Sequence, residues 1–419
     1  MTKFNLLELH NSNIDKKPRM WIHINGMGIT NVIDLLINDI CRTNYTSKHQ
    51  LSIKISRILN CNSHTIGKRF YHCKGYEWYP IHLVNTLLDL WKETGKSDYD
   101  VKNMLEMINN RIQFLRTGRS YIHKAVKEVS PSIAKLCGAI IADGHITKER
   151  NSKIYIIDNY PKSIKKCAKW FEDIFGFPQQ IKKSKKFDAW YLKINSKIAA
   201  RIFNIFFEIP VGKKSKIVKE PHCIKESKYR LDFANGVLLM DGCIETDNII
   251  SFGTVSKKLA EDIFEILEQN NFSVKLSYKP SNKIFMVKTN ILNKGESKKW
   301  IEFFEKDTEK WQKLYEINYG FNKKPKTFEE AFNSFNGYCG NSNKINFKEV
   351  ILTIKELENV NKKILATKLN IGISTLHKYL WLLEKAKIIK VTRTYQGSHI
   401  DNEYFYNSNI KEWRVPSVN

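Results

Sequence analysis

The sequence predicts an α+β protein: a duplicated αββαββα core with saddle-like sheets, a helical N-terminal region resembling a helix-turn-helix, and a C-terminal winged helix-turn-helix. Three observations predict it. The segment Leu136-Cys137-Gly138-Ala139-Ile140-Ile141-Ala142-Asp143-Gly144 reads like Ala234-Asn235-Gly236-Val237-Leu238-Leu239-Met240-Asp241-Gly242. The same order of helices and hairpins follows each segment. A third, separate run of helices and strands fills residues 345–410. A repeat of this length implies two similar halves that share one core.

Taken in order, residues 1–125 read as mainly helical. Ile29 to Ile40 is apolar at helical spacing. Leu51 to Leu59, a polar turn at Asn60 to Ser63 and the basic stretch Thr65 to Tyr71 form a helix-turn-helix candidate. An ordinary helical hairpin is the alternative.

The core is placed at 130–325, in halves of about 130–225 and 228–325. Pro131 suits the start of the first motif helix. A hairpin follows (His145–Thr147 to Lys153–Ile157), then a helix from Ser163 to Phe175 with Trp170 and Phe171 on its apolar face. A second hairpin pairs Gln180–Lys183 with Trp190–Ile194 across a basic turn at Lys185 and Lys186, and Ser196 to Phe207 is helix. The second half repeats this: a strand at Ile249–Phe252, a helix at Lys257–Asn270, a hairpin of Val274–Tyr278 with Ile284–Thr289, and a helix at Ser297–Phe304. Alternating polar and apolar residues give each sheet one core face and one open face.

Asn333 to Asn346 reads as a linker. Beyond it, helices at Phe347–Leu357, Lys362–Lys368 and Ile373–Leu383 precede strands at Ile388–Thr392 and Glu403–Tyr406, joined by a turn at Gln396-Gly397-Ser398. Ser374 is expected to cap the third helix, which puts Thr375, His377 and Lys378 near its exposed start.

Composition limits what such a protein can do. Lys and Arg number 69 against 43 acids, a net charge of +26, which points to a polyanionic partner. Hydrophobic residues make up 42%, enough for a packed core. No apolar run approaches the roughly 18 residues of a membrane span, and no secretory signal opens the chain. The eight cysteines include no CxxC pair and are expected to be reduced, mostly buried thiols in a cytoplasmic, nucleoid-associated protein.

Chemistry concentrates at the repeat. Gly138 and Gly236 let two helices approach closely at the seam between the halves. Asp143 and Asp241, 98 positions apart, then arrive together at the helix ends. Two adjacent carboxylates repel unless a cation separates them. Mg2+, or Mn2+, suits an all-oxygen site that also meets phosphate. Lys148, Arg150, Lys153, Lys182, Lys183, Lys275 and Lys279 are candidate phosphate and groove contacts on the sheets.

On these residues the chain resembles the two-motif, single-chain LAGLIDADG homing endonucleases over about 190 residues. The resemblance implies a metal-dependent endodeoxyribonuclease that breaks both strands of duplex DNA at a long site, acting as a monomer. It places the acids at Asp143 and Asp241, metal contacts at these acids and at Gly144 and Gly242, and the helix-interface glycines at Gly138 and Gly236. Lys193 and Lys288, on equivalent strands 50 and 47 residues after the acids, are its candidate catalytic lysines. Groove phosphate contact is their alternative role. Asp158 and Thr254 neighbour the position of a water-ordering residue. Asn235 and Met240 depart from the small apolar residues common in the motif, which predicts looser seam packing in the second half. Two other readings stay open: a nuclease-inactive transcription regulator and an RNA-binding intron maturase. An intein is a third reading, and a disfavoured one. The ends Met1-Thr2 and Val418-Asn419 do not match a splicing frame.

Overall fold

A computed structural model describes residues 3–11, 20–24, 32–71, 78–117, 121–147, 152–184, 188–245, 249–290, 294–319, 347–358, 360–385, 387–396 and 399–407. Lys148, Arg150, the turn at Lys185 and Lys186, and the linker from Asn333 to Asn346 lie outside these residues. The chain divides into two compact units, residues 1–314 and 315–419.

The N-terminal region differs from the helical expectation. Helices are there: α1 (Val32–Thr43), α2 (Lys48–Ile58), α3 (Ser63–Tyr71), α4 (Ile81–Lys92) and α5 (Asp98–Arg111). Between them runs an antiparallel sheet in the order β2-β1-β3-β4, made of β1 (Met20–Ile24), β2 (Trp78–Pro80), β3 (Ile112–Thr117) and β4 (His123–Lys124). The cause is a period of two in β1, where Met20, Ile22 and Ile24 are buried and Trp21 and His23 are half-buried. Helices α2 and α3 cover the pair of helical stretches read from the sequence. Ser47 and Gln50 form a reciprocal capping box at the start of α2.

The middle of the chain follows the repeat. The first half comprises α6 (Pro131–Asp143), β5 (Gly144–Ile146), β6 (Ile154–Asp158), α7 (Pro161–Phe175), β7 (Ile181–Lys183), β8 (Trp190–Ile194) and α8 (Lys197–Ile205). A short helix, α9 (His222–Lys225), leads to the second half. There stand α10 (Arg230–Asp241), β9 (Gly242–Ile244), β10 (Ile249–Thr254), α11 (Lys257–Gln269), β11 (Lys275–Lys279), β12 (Ile284–Asn290) and α12 (Lys294–Phe303), followed by α13 (Glu309–Tyr319). The sheets are β5-β6-β8-β7 and β9-β10-β12-β11, the same order twice.

Register agrees residue by residue. Gly144 faces Ile156, and Ile156 faces Leu192; Gly242 faces Phe252, and Phe252 faces Val287. Lys193 and Lys288 therefore hold the same place, opposite Tyr155 and Ser251. Helix α7 turns Ile164, Cys167, Trp170, Phe171 and Ile174 inward at helical spacing, and stops at Gly176, whose φ of 83° suits a residue without Cβ. The second-half edge strand β11 is exposed throughout and carries Lys275 and Lys279, a charge pattern that discourages further strand pairing.

Unit 315–419 carries the three helices and two strands expected, with a further two-residue strand that was not: α14 (Phe347–Glu356), β13 (Val360–Asn361), α15 (Lys362–Lys368), α16 (Ile373–Lys385), β14 (Ile389–Gln396) and β15 (His399–Tyr406). Its sheet runs β13-β15-β14, over a core that includes Ile351, Leu365, Leu376, Leu380 and Tyr404. Asn361 caps α15 by accepting from the Ile364 amide at 3.0 Å. His377 is exposed on α16; the side chains of Ser374, Thr375 and Lys378 lie outside the described set. Among the described residues no helix is long and apolar enough to cross a membrane.

Candidate acid-pair active site

Helices α6 and α10 are buried along nearly their whole length, which is why neither shows a polar stripe. Ser130 caps α6 through the Ile133 amide at 3.4 Å, with Pro131 next in line. The two helices then meet backbone to backbone. A Cβ on Gly138 would stand 2.8 Å from the Val237 amide nitrogen and against the Phe233 carbonyl. One on Gly236 would overlap the Lys135 carbonyl. Both glycines are thus required by close approach.

The second motif is not loosened by its larger residues. Asn235 is buried and donates from Nδ2 to the Phe303 carbonyl, tying α10 to the end of α12. Met240 is buried, with its sulfur 4.0 Å from the Cys167 thiol on α7.

This contact delivers the last residue of each helix to its counterpart. Asp143 and Asp241 end side by side, close enough for each carboxyl to perturb the other. Burial is the largest cause raising both carboxyls above the ordinary range, and for Asp241 the charge of Asp143 adds to it. Together these causes raise Asp241 to about 7.

Two buried amines complete the centre. Lys214 donates to the Ile141 carbonyl, and to that of Ala142 at 3.0 Å, at the end of α6. Lys310, near the start of α13, donates to Leu238 at 3.0 Å, Leu239 at 2.5 Å and Met240 at 2.8 Å, at the end of α10. Helix C-termini leave carbonyls without partners and carry partial negative charge, so each ammonium caps its helix. Burial lowers both amines to about 8, while the two acids pull them back up.

The supporting backbone is matched as well. After α8 the chain runs beside β5, with Val211 bridged to Ile146 in parallel and the Gly212 amide donating to the Ile146 carbonyl at 2.9 Å. In the second half the Lys313 amine donates to the equivalent carbonyl, Ile244.

The two lysines were missed at the level of sequence. They follow their acids by 71 and 69 residues, a spacing as regular as that of Lys193 and Lys288. Among 69 basic residues that regularity is no signal by itself. The amines that sense the acid pair are Lys214 and Lys310. Lys193 stands 5.6 Å from the centre of the Tyr155 ring, which stacks on His145 at 5.2 Å. Lys288 lies 3.7 Å from Glu245, whose carboxylate accepts from the Ser251 hydroxyl at 2.8 Å.

The residues next to the pair differ between halves. Asp158 ends β6, and one of its oxygens accepts from the Tyr160 amide at 3.2 Å. The other is buried without a partner. Burial, and to a smaller degree the charge of Asp143, raise this carboxyl to about 6, while Lys310 works against the shift. At the matching place Thr254 accepts from the Ser256 amide at 3.1 Å.

On the sheets, Lys183 pairs with Asp188 at 3.0 Å and lies over Trp190, and Lys182 faces Tyr191 across the ladder. Lys153 sits just before β6, while Lys275 faces Lys288 on β12.

Among the described residues no group of three or more His, Cys, Asp or Glu side chains could hold a metal. The donor set at the seam is two carboxylates and nearby carbonyls, all hard oxygen, which fits a magnesium-like ion that keeps part of its water or meets phosphate. The described cysteines (Cys41, Cys61, Cys137, Cys167, Cys223 and Cys243) are free thiols, and only Cys243, beside Gly242, is exposed.

No family model matches the chain, and no curated protein matches it. Solved structures do resemble part of it. One is I-DmoI in complex with DNA and Mn, at 16% identity and a TM-score of 0.30, covering 38% of this chain and 88% of that one. Another is the homing endonuclease I-WcaI bound to its DNA recognition sequence, at 12% and 0.31, covering 42% and 82%. A third is the N-terminal LAGLIDADG domain of DUF199/WhiA, at 11% and 0.30, covering 45% and 89%. At such scores these similarities assign the chain to no family, and the acid pair has to be read on its own geometry.

Proposed function

We propose that this protein is a metal-dependent endonuclease of the LAGLIDADG homing type, which hydrolyses both strands of duplex DNA at a long site. The observation that carries the reading is the acid pair itself: Asp143 and Asp241 perturb each other at the end of a glycine seam, with Lys214 and Lys310 at their backs.

Asp143 and Asp241, with the backbone at Gly144 and Gly242, would hold Mg2+ or Mn2+. Such an ion, when bound, polarises the scissile phosphate and lowers the pKa of an attacking water. The protein's own part is placement. The helix seam fixes the carboxylates. Lys214 and Lys310 lock the helix ends and keep positive charge beside the centre as negative charge develops on phosphate. Lys193 and Lys288 extend from the matching strands and are proposed to contact or stabilise the reacting phosphate. Lys148, Arg150, Lys153, Lys182, Lys183, Lys275 and Lys279 serve phosphate and groove contacts. The α2–α3 pair and the unit carrying Thr375, His377 and Lys378 add flanking contacts. Both acids belong to one chain, so a monomer suffices.

The decisive experiment incubates the protein with a randomised duplex library in Mg2+ and sequences the cut ends, with chelator as the control. Cutting that stops in chelator and in Asp143→Asn and Asp241→Asn supports the reading. Tight binding without cutting in any metal would make the protein a regulator. Preference for structured RNA over duplex DNA would favour the maturase.

A further inference from the structure

A cavity of about 280 Å3 lies between the N-terminal sheet and the first half of the core. It is lined by His123, Ser152, Lys153, Asn195, Ser196 and Lys197, with no carboxylate among its described lining residues. Ser196 caps α8, a helix of 9 residues, by accepting from the Ala199 amide at 3.0 Å. The partly positive helix start and two lysines therefore face one small space.

Two buried side chains there are short of a partner. Ser152 and His123 are each 2% exposed, and neither Ser152 Oγ nor His123 Nδ1 makes a hydrogen bond. The His123 ring is fixed by edge contacts with Phe175 and Phe177 at 5.7 and 4.7 Å. Its Nε2 lies 3.2 Å from Ser196 Oγ.

Ser196 already accepts from Ala199, so its hydroxyl hydrogen needs an acceptor, and Nε2 is the one in reach. Burial lowers the imidazole to about 4, so it is neutral near pH 7. A neutral ring that accepts at Nε2 carries its hydrogen on Nδ1. Nδ1–H and the Ser152 hydroxyl are thus two buried donors without an acceptor, a costly state for a fold to keep.

We propose that this cavity binds a phosphoryl group. A phosphate oxygen answers both stranded donors, and its charge is opposite in sign to Lys153, Lys197 and the start of α8. The space holds several water-sized groups, enough for a tetrahedral oxyanion. The proposal does not rest on the acid pair, and it stands or falls in the absence of divalent metal. The phosphoryl group has two possible sources: a backbone phosphate of bound nucleic acid, or free phosphate or a mononucleotide.

The test uses the full chain in chelator. Thermal melts are recorded against inorganic phosphate and against chloride at matched ionic strength. Phosphate should raise Tm saturably by several degrees beyond chloride. Ser152→Ala should raise the Tm of the free protein, because it deletes a stranded hydroxyl, yet lose at least half of the phosphate increment. Lys197→Gln should lose the increment, each increment being measured against that variant's own phosphate-free melt. The proposal is overturned if phosphate acts no differently from chloride, or if both variants keep the parent's increment.

A second arm identifies the source. Binding to random-sequence duplex is measured across a salt series for the parent and Lys197→Gln. A salt slope reduced by about one ion, with phosphate competing, assigns the site to the nucleic-acid backbone. An unchanged slope with phosphate binding intact assigns it to the free anion.

Discussion

The two halves of the core agree where they face each other and disagree where they face outward. At the seam each contributes a glycine in backbone contact, an acid at the helix end and a buried lysine on the last carbonyls. On the sheets, the first half presents His145 stacked on Tyr155 under Lys193. The second presents Ser251, Glu245 and Lys288 in a hydrogen-bonded and ionic chain, with Cys243 at the place of His145. The seam is constrained by a requirement that applies twice, whereas the strands are free to meet different neighbours. Asp158 against Thr254 lies on the border between these regimes, close enough to sense Asp143 yet not repeated.

The sharpest way to break this comparison is at the acids. Asp143→Asn and Asp241→Asn should each reduce single-turnover double-strand cleavage by about a thousandfold or more, with binding within a few-fold of the parent. Full double-strand cutting by either variant would end the equivalence of the two sides.

Next come the amines. Lys214→Met and Lys310→Met should each slow cleavage by about a hundredfold. Lys193→Ala and Lys288→Ala should slow it by about tenfold, with a smaller effect on Kd. If a strand-lysine variant instead loses only affinity, with a salt slope lower by about one ion, that lysine is a phosphate contact.

How far the sequence reveals this arrangement depends on what repeats. The register that sets Lys193 level with Lys288 is legible because an apolar nine-residue segment and four strands recur at nearly constant offset. Lys214 and Lys310 are illegible because burial, not spacing, singles them out, and nothing in Lys213-Lys214-Ser215-Lys216 says which amine turns inward. The N-terminal sheet is hidden for another reason. Its strands are two to six residues long and come from distant stretches, so β1 is the only one with a readable alternation. The Asn235 contact could not be read either, since its partner is a main-chain carbonyl 68 positions away.

The seam can be tested by volume. Gly236→Ala should destabilise unit 1–314 by about 3 kcal/mol and Gly138→Ala by a similar amount, because backbone cannot yield as a side chain can. Denaturant melts measure this. A change below about 0.5 kcal/mol would mean that the helices do not touch as described.

The smallest expected effect is in pH. A carboxyl raised on folding stabilises the protein while it is protonated. That contribution is complete below the unfolded pKa near 4 and is lost as pH rises through the folded value, about 6 for Asp158 and about 7 for Asp241. In chelator, Tm should therefore fall by several degrees between pH 4 and pH 8. Asp241→Asn should flatten the upper part of this decline and Asp158→Asn the lower part. Mg2+ should restore the parent at pH 8. A parent whose Tm rises over this range, with no change in either variant, would contradict the raised carboxyls.

The glycine contact between α6 and α10 has a mechanical consequence. Side chains in a packed interface breathe by rotamer exchange, and any dimension measured across them inherits that play. Here the main chain of one helix rests on the main chain of the other, so the gap between the two carboxyls is referenced to the stiffest parts of the molecule. The seam acts as a machinist's datum, from which both sheets are located. Substitutions that retune either sheet for a new partner can accumulate without moving the pair, because none of them lies in the chain of dimensions that sets it.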